Sequence, residues 1–265
     1  MSGEPARRGS LATAAKVCFD VAVAAVLLIA ALPLIVAIIA AIELESPGPV
    51  FYRAHRIGYR GRPFRMLKFR KMRPDADGRP LTLTGDTRFT RVGAVLARTK
   101  LDELPQLVNV LCAQMSLVGP RPEDPRFVAV HADAYERILH VRPGITGRAQ
   151  LAFAREASIL DPADPVRHYL DAVLPQKVWL DLRYVHQHKP WDDVRILAWT
   201  LITVALQVPV AVDRRTGALS RRRPRARTMH VPSPAARLYQ PEARVAVGAH
   251  AREVAGASAL GVEEG

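Results

Sequence analysis

A run of 22 apolar or small uncharged residues, from Val21 to Ile42, is the feature that most limits how this chain can fold. Pro33 is its one interruption. About 20 such residues can cross the hydrocarbon core of a bilayer as a single helix. A secretory signal is excluded, because its apolar region is shorter and a small-residue cleavage site follows it, whereas a basic stretch follows here. The segment therefore predicts a helix inserted into a membrane.

Positive charge on both sides of this segment bears on how the helix is inserted. Arg7, Arg8 and Lys16 precede it. Nine cations follow it: Arg53, Arg56, Arg60, Arg62, Arg65, Lys68, Arg70, Lys71 and Arg73. The positive-inside rule places both flanks in the cytoplasm, which a straight spanning helix cannot satisfy. A helix that turns near Pro33 and returns to the same face satisfies the rule, because proline breaks or bends helices. A spanning helix with a tolerated proline is the alternative.

The rest of the chain predicts a mainly helical domain. Residues 50–53 and 64–69 are typical of short strands, and Gly58 and Gly61 between them favour a β-hairpin. Apolar spacing predicts helices at the following ranges: 90–98, 104–115, 124–140 and 165–185. The apolar stretch 196–212 is typical of an interfacial or packed segment. Residues 75–87 are polar and contain glycine, which predicts a mobile loop.

These segments predict four parts along the chain. They are a disordered N-terminus (1–15), a re-entrant membrane helix (16–45), a compact cytosolic helical catalytic domain (46–212) and a disordered tail (213–265). The fold class is mainly α with a small β-hairpin. The tail has charge runs and little periodicity, which is typical of disorder. The two cysteines form no disulfide or zinc motif.

The net charge of +13 favours anionic partners. Basic clusters beside an apolar segment favour anionic lipid headgroups or a phosphorylated ligand, with nucleic acid as the competing partner. Binding of single-stranded nucleic acid usually needs aromatic residues among the cations. The basic run at 214–227 contains none, which argues against nucleic acid.

Three polar clusters are candidates for chemistry, and each also has a structural interpretation. Asp102 and Glu103 stand at the predicted start of a helix, where acidic residues commonly cap free N–H groups. Arg121 lies between Pro120 and Pro122, which favours either a rigid turn or a guanidinium held for phosphate. The stretch 142–150 contains two glycines and two arginines, which suits a turn or a phosphate cradle without a Walker pattern.

Five phrases together resemble the bacterial sugar transferase family of monotopic phosphoglycosyl transferases. They are SPGPVFYRAHRIG, FRMLKFRKM, LDELPQLVNVL, MSLVGPRPE and VRPGITGRAQ, and they keep the family's order over residues 16–206. Lys100 stands where the family often has serine, and Leu32 stands where a serine commonly precedes the membrane proline.

The resemblance implies a reaction and its residues. Asp102 and Glu103 match the family's catalytic dyad, with Asp102 as the nucleophile that attacks the β-phosphorus of a UDP-sugar and releases UMP. A covalent phosphosugar-aspartate then passes its sugar-1-phosphate to polyprenyl phosphate, which is ping-pong chemistry. Mg²⁺ is the implied cofactor, with Asp102 and Glu103 as candidate ligands. Arg121, Arg98 and Arg148 are candidate phosphate contacts, and Pro33, Pro120 and Pro122 are supports.

The resemblance also implies a setting. The protein would lie in the bacterial inner membrane with its catalytic domain on the cytosolic face, and it would start exopolysaccharide or related glycan assembly. The alternative is a membrane-anchored basic adaptor or an inactive scaffold. The transferred sugar, the glycan and the oligomeric state cannot be read from these residues.

Overall fold

The computed structural model describes residues 4–187, 189–206, 210–213 and 218–221, with side chains from residue 13 onward. The helices are α1 Glu4–Glu45, α2 Arg91–Thr99, α3 Gln106–Leu111, α4 Pro125–Val130, α5 Ala132–Ile138, α6 Arg148–Ala152, α7 Pro165–His168, α8 Leu174–Gln187 and α9 Pro190–Leu206. The strands are β1 Phe51–Ile57, β2 Pro63–Phe69, β3 Ser116–Val118, β4 Gly144–Thr146, β5 Val210–Val212 and β6 Leu219–Arg221. Short 3₁₀ turns lie at Tyr59–Gly61, Leu101–Glu103 and Glu156–Ser158, and a π turn at Tyr169–Val173. The chain is therefore mainly helical with small two-stranded sheets, in accord with the predicted class.

Helix α1 is the long apolar element that the sequence predicts. From Thr13 to Glu45 it is long and apolar enough to cross a membrane, and 11% of its most apolar window is buried within the described part of the protein. Pro33 lies inside the helix, which continues on both sides of it. Large apolar side chains remain exposed along its length: Phe19, Val26, Leu27, Ile29, Leu32, Leu34, Val36 and Leu44. Exposed apolar surface on this scale is typical of contact with lipid or with a partner.

Both ends of the apolar segment contact the same compact unit. Near its start, Ser116 Oγ donates to Asp20 Oδ2 at 2.5 Å, and Lys16 Nζ lies 2.7 Å from Asp193 Oδ2. At its end, the Glu45 carboxylate accepts the backbone N–H groups of Arg91 and Val92 at the start of α2. The two flanks of the apolar segment are thereby attached to one domain.

The predicted hairpin is present, and its first strand is longer than expected. Strands β1 and β2 pair antiparallel from Phe51 opposite Phe69 to Ile57 opposite Pro63. The basic residues of this region divide into two groups. Arg53, Arg60, Arg62, Arg65 and Arg73 are exposed. Lys68 and Arg70 are buried, and Arg70 donates to the backbone carbonyls of Ser46 and Pro47.

The second sheet brings two of the recognised phrases together. Strand β3, in MSLVGPRPE, pairs parallel with β4, in VRPGITGRAQ. The strands meet with so little space that a Cβ on Gly119 would lie 2.5 Å from the Arg142 carbonyl oxygen, and one on Gly144 would lie 2.1 Å from the Gly119 nitrogen. Real Cβ atoms do not approach so closely, so both positions require glycine. This pairing fixes the direction in which the chain leaves β3 towards Arg121.

The helical predictions are correct in place and partly wrong in extent. The helix expected at 104–115 is six residues long, α3, and is preceded by a separate 3₁₀ turn. The helix expected at 124–140 is split into α4 and α5 at His131, whose φ of −129° is not helical. The helix expected at 165–185 is present as α7 and α8, joined through the π turn. These breaks allow the short helices to pack around a core that contains Phe127, Tyr135, Tyr169 and Leu174.

The C-terminal part departs from the prediction at its boundary. Helix α9 covers the first half of the apolar stretch 196–212, and its exposed apolar side chains include Trp191, Leu201 and Leu206. Strand β6, which falls in the predicted disordered tail, pairs antiparallel with β5. Ordered structure therefore extends to residue 221, and the remainder of the tail lies outside the described residues.

Candidate active site

The acidic pair Asp102–Glu103 lies in the 3₁₀ turn between α2 and α3. Lys100 ends α2 with a left-handed φ of 61°, which is uncommon for a residue with a side chain and turns the chain sharply into the pair. The expectation that Asp102 opens an α-helix is wrong, because α3 begins only at Gln106, after Pro105. The environment of the two carboxylates is therefore set by side chains packed around the turn, and the macrodipole of a following helix does not explain it.

The Asp102 side chain is buried and asymmetrically bound. The residue is 2% exposed. Its Oδ2 lies 3.3 Å from Lys71 Nζ, while its Oδ1 has no hydrogen-bond partner within the part of the chain that the structure describes. A buried polar atom without a partner is costly and is usually explained by function. One oxygen of Asp102 is thus held by a cation, and the other is buried without a partner among the described residues.

Glu103 is paired with two cations. Lys68 Nζ donates to Glu103 Oε1 at 2.9 Å, and Arg121 Nη1 lies 3.9 Å from the same oxygen. Burial alone would raise the pKa of Glu103, but Lys68 and Arg121 outweigh it and lower the pKa to about 2. Burial also lowers the pKa of Lys68, and Glu103 opposes this effect. The site thus combines two carboxylates with three basic side chains, which are Lys68, Lys71 and Arg121.

Arg121 reaches this site from the other side, held by its backbone. Pro120, before it, accepts the N–H of Gly144 at 2.8 Å, which ties the turn to β4. The buried Asp181 of α8 accepts the backbone N–H of Arg121. Burial opposes the charge on Arg121, but Glu103 and Glu123 outweigh it and raise its pKa. The guanidinium is therefore a fixed, permanent cation, a third of it open to solvent.

A buried polar cluster supports Arg121 from behind. Tyr169 Oη donates to Glu123 Oε1 at 3.1 Å, and Lys177 Nζ donates to Tyr169 Oη at 3.2 Å. Lys177 also forms an ion pair with Glu156. Burial and the negative charge of Glu123 raise the pKa of Asp181 well above its ordinary value. These side chains come from distant parts of the chain and hold α8 against the turn at Pro120–Pro122.

The other predicted phosphate contacts have different positions. Arg148 is buried in α6, and its Nη2 lies 3.4 Å from Asp192 Oδ2 of α9, where it links two helices. Arg98 is exposed in the last turn of α2, four residues before Asp102. The structure thus groups Arg121 with the acidic pair and gives Arg148 a partner on α9.

Lys68 and Lys71 belong to the site, although the sequence interpretation assigned them to a lipid-facing basic cluster. The sequence does contain a pattern that predicts an inward-facing Lys68. Alternate residues of a strand point to the same face, so Lys68 shares the face of Phe64 and Met66 in β2. Met66 is buried in the main core, and Phe64 packs against it. Lys68 therefore had to point inward, where a charged group needs a partner. Lys71 lies beyond the strand, and no comparable signal existed for it.

The acidic pair provides two of the carboxylates that a divalent cation can bind, but not a complete set of protein ligands. Within the described residues no three His, Cys, Asp or Glu side chains form a cluster. Mg²⁺ is commonly bound by one or two carboxylates, with substrate phosphates and water completing its shell. The unpartnered Oδ1 of Asp102, beside Glu103, provides carboxylate oxygens of this kind. The residues present therefore fit a magnesium ion that arrives with a phosphorylated substrate.

Comparison with known proteins identifies the family of this chain. The family model described as bacterial sugar transferase matches residues 11–207. The chain belongs to this family. It is 38% identical over 201 residues to a UDP-glucose:undecaprenyl-phosphate glucose-1-phosphate transferase of Xanthomonas campestris pv. campestris, covering 72% of this chain and 38% of that protein. It is 37% identical over 191 residues to a protein of the same name from Caulobacter vibrioides, covering 69% and 66%.

A third relative carries a different sugar in its name. A UDP-N-acetylgalactosamine-undecaprenyl-phosphate N-acetylgalactosaminephosphotransferase of Aeromonas hydrophila is 38% identical over 181 residues, covering 65% of this chain and 39% of that protein. The matched region thus spans less than half of the Xanthomonas and Aeromonas proteins. Relatives of equal identity differ in their sugar, so overall similarity does not identify the sugar for this chain.

Proposed function

We propose that this protein transfers a sugar-1-phosphate from a UDP-sugar to a polyprenyl phosphate and releases UMP, through a covalent phosphosugar-aspartate on Asp102. The observation that carries the proposal is the asymmetry of Asp102. One of its oxygens is paired with Lys71, and the other is buried without a partner beside Glu103. A carboxylate held in this way is oriented, and its unpaired oxygen is suited to act as a nucleophile. The names of the relatives support the substrate classes.

In the first step Asp102 Oδ1 attacks the β-phosphorus of the UDP-sugar. The Oδ1–phosphorus bond forms, and the bond from that phosphorus to the bridging oxygen breaks. UMP leaves with the electron pair. Arg121 carries a permanent positive charge 3.9 Å from Glu103 and would stabilise the charge that develops on the phosphate oxygens.

In the second step a phosphate oxygen of polyprenyl phosphate attacks the same phosphorus. The bond to Asp102 breaks, the carboxylate is restored, and the product is a polyprenyl diphosphate sugar. When bound, Mg²⁺ would supply positive charge to the diphosphate of the donor. Asp102 and Glu103 are the residues that would hold it. Lys68 keeps Glu103 ionised and fixed, which leaves the second oxygen of Glu103 for this purpose.

The proposal places the protein at the cytosolic face of the bacterial inner membrane, with α1 as a re-entrant anchor. Two observations support it: the flanks of the apolar segment both contact one domain, and its middle exposes large apolar side chains. A polyprenyl phosphate keeps its phosphate at headgroup level, so a site held at the interface can accept it together with a soluble nucleotide sugar. The same proposal includes contact of the exposed arginines of the hairpin with anionic lipid. Each cation near the surface would add about 1 kcal/mol to the free energy of membrane binding.

The test is release of UMP by purified full-length protein in detergent or nanodiscs, with Mg²⁺, undecaprenyl phosphate and a panel of UDP-sugars. We expect release with at least one donor, and a stoichiometric burst of UMP when the lipid is omitted. Asp102→Asn should lower turnover at least about 10³-fold, because the nucleophile is lost. Asp133→Asn, an exposed position on α5, is the matched control and should retain wild-type turnover.

Three results would contradict the proposal. An absence of UMP release across the panel would favour the adaptor or scaffold alternative. Full turnover by Asp102→Asn would exclude Asp102 as the nucleophile. A phosphosugar adduct located by mass spectrometry on a peptide that lacks Asp102 would assign the covalent step to another residue.

A further inference from the structure

We infer that Lys71 is a catalytic residue that contacts the transferred phosphoryl group. It exchanges the Asp102 carboxylate for a phosphoryl oxygen in the first half-reaction and returns to the carboxylate in the second. This inference rests on the proposed function and deepens it. It starts from the contact between Lys71 Nζ and Asp102 Oδ2, at 3.3 Å.

The two lysines of the site differ in their access to a substrate. Lys68 has 11% of its side chain exposed and is bound to Glu103, whereas Lys71 has 27% exposed and contacts Asp102. Lys68 is therefore enclosed as the partner of one carboxylate. Lys71 lies where the buried nucleophile meets the open side of the site, so a phosphoryl group that reaches Asp102 must come close to it.

The position of Lys71 is fixed by the start of α2. Its backbone carbonyl accepts the N–H of Thr90, the N-cap residue of α2, at 3.1 Å. A Cβ on Gly93 would lie 1.9 Å from the same carbonyl oxygen, so the backbone at Lys71 packs directly against the first turn of the helix. The ammonium lies 5.7 Å from the centre of the Phe89 ring. Preorganised charge of this kind lowers a barrier without reorganisation during the reaction.

The balance of charge in the two steps gives Lys71 its role. When phosphorus bonds to Oδ1, the carboxylate becomes a neutral acyl group, and the ion pair between Oδ2 and Lys71 is lost. The new phosphodiester carries one negative charge on its two non-bridging oxygens, next to the same ammonium. Lys71 can therefore pair with a phosphoryl oxygen until polyprenyl phosphate attacks and the carboxylate returns. No further reactant is needed.

The test is the single-turnover rate of UMP release from the donor, with no lipid acceptor, for Lys71→Met and Lys71→Ala. We expect both variants to be slower by about 10²-fold, the usual effect of removing one group that stabilises transition-state charge. Added ethylammonium should raise the rate of UMP release by Lys71→Ala at least about tenfold, because a free ammonium can occupy the vacated position. The rate should level off at high ethylammonium concentration. Arg137→Met, an exposed cation on α5, is the matched control and should keep the wild-type rate.

The outcomes separate this inference from the proposed function. If the wild type releases no UMP, the proposed function fails. If the wild type reacts and both variants stay within about threefold of it, Lys71 has no catalytic contact. A slow Lys71→Ala variant with a lowered melting temperature and no response to ethylammonium would show a structural role and overturn the inference. Should Lys71→Met not fold, Lys71→Gln provides the same comparison.

Discussion

At the scale of single residues, the site depends on separate partners for its two carboxylates. Glu103 is held by Lys68 in a buried ion pair, and its pKa of about 2 lies below the ordinary 4.5. A carboxylate whose pKa is lowered by folding stabilises the folded state. This contribution is complete at pH values above the ordinary pKa of 4.5. That contribution is lost as the pH falls through about 2.

Lys68→Met should reveal how the stability contributed by the Lys68–Glu103 pair depends on pH. Removing one member of a buried pair leaves the other charge uncompensated, at a cost of about 3 kcal/mol, which Arg121 offsets in part. We expect the free energy of unfolding to fall by about 2 kcal/mol at pH 7, and the difference from wild type to shrink between pH 4.5 and pH 2. Denaturant unfolding across this pH range measures it.

A second substitution provides the control. In Lys68→Met with Glu103→Gln the buried charge is absent, so the double variant should be more stable at pH 7 than Lys68→Met alone. The contrary outcome is a free energy of unfolding of Lys68→Met that lies below that of wild type by the same amount from pH 7 to pH 2. That result would show that the loss comes from packing of the lysine stem and not from the ion pair.

At the scale of elements, the loop before α2 is attached through one arginine. Arg88 is 6% exposed, and its guanidinium donates to the backbone carbonyls of Asp77, Arg79 and Leu81. It also forms an ion pair with Asp86, whose pKa it lowers to about 2. The sequence predicts a mobile loop at 75–87 because its composition is polar. The contacts of Arg88 depend on side-chain geometry that composition does not contain.

Arg88→Met should release this loop. The backbone carbonyls of Asp77, Arg79 and Leu81 would lose this donor, at a cost of about 1–3 kcal/mol for each one that water does not reach. We expect amide hydrogen exchange to accelerate across 75–87 and to stay unchanged in β1. Arg79→Met is the matched control, because its pair with Asp77 is exposed and contributes little. Equal exchange in both variants would exclude Arg88 as the anchor.

The junction between α1 and α2 is another element-scale feature. The Glu45 carboxylate accepts two backbone N–H groups at the start of α2, in addition to the Thr90 cap. Glu45→Ala should cost about 1 kcal/mol, the usual value of a lost cap, and should increase hydrogen exchange in the first turn of α2. Glu43→Ala, exposed two residues earlier, is the control and should leave α2 unchanged. An unchanged α2 in Glu45→Ala would mean that Thr90 caps the helix alone.

Elements that are defined by interactions between residues close in sequence could be predicted. Elements that depend on contacts between distant residues could not. The hairpin and α2 were predicted because turn glycines and the spacing of apolar residues are local patterns. The 3₁₀ turn at Asp102 was missed because it depends on the left-handed conformation of Lys100, a residue type that rarely adopts it. The pairing of β3 with β4, which fixes Arg121, joins segments about 28 residues apart, and no local pattern indicates it. The acidic pair and Arg121 were found through ordered phrases and not through their spacing alone.

At the scale of the whole molecule, α1 links the candidate active site to the long apolar segment that we propose lies in the membrane. Asp20, near the start of the apolar segment, is bonded to Ser116 of β3, the strand that leads to Arg121. Glu45, at its end, is bonded to α2, the helix that leads to Asp102. The two halves of the candidate active site are therefore each attached to one flank of the apolar segment. A spanning helix would have to separate those flanks across the bilayer and break one set of contacts.

This arrangement gives a direct test of topology. In a protein with Cys18 and Cys112 replaced by serine, Ser10→Cys and Arg62→Cys introduce single thiols before and after the apolar segment 21–42. We expect a membrane-impermeant reagent to label both from the cytosolic side of oriented vesicles, because both flanks contact one domain and carry positive charge. The labelled variants should also retain UMP release, so that the measured topology is that of the active protein. Labelling of the two positions from opposite sides would exclude the re-entrant anchor while leaving the chemistry at Asp102 to be tested separately.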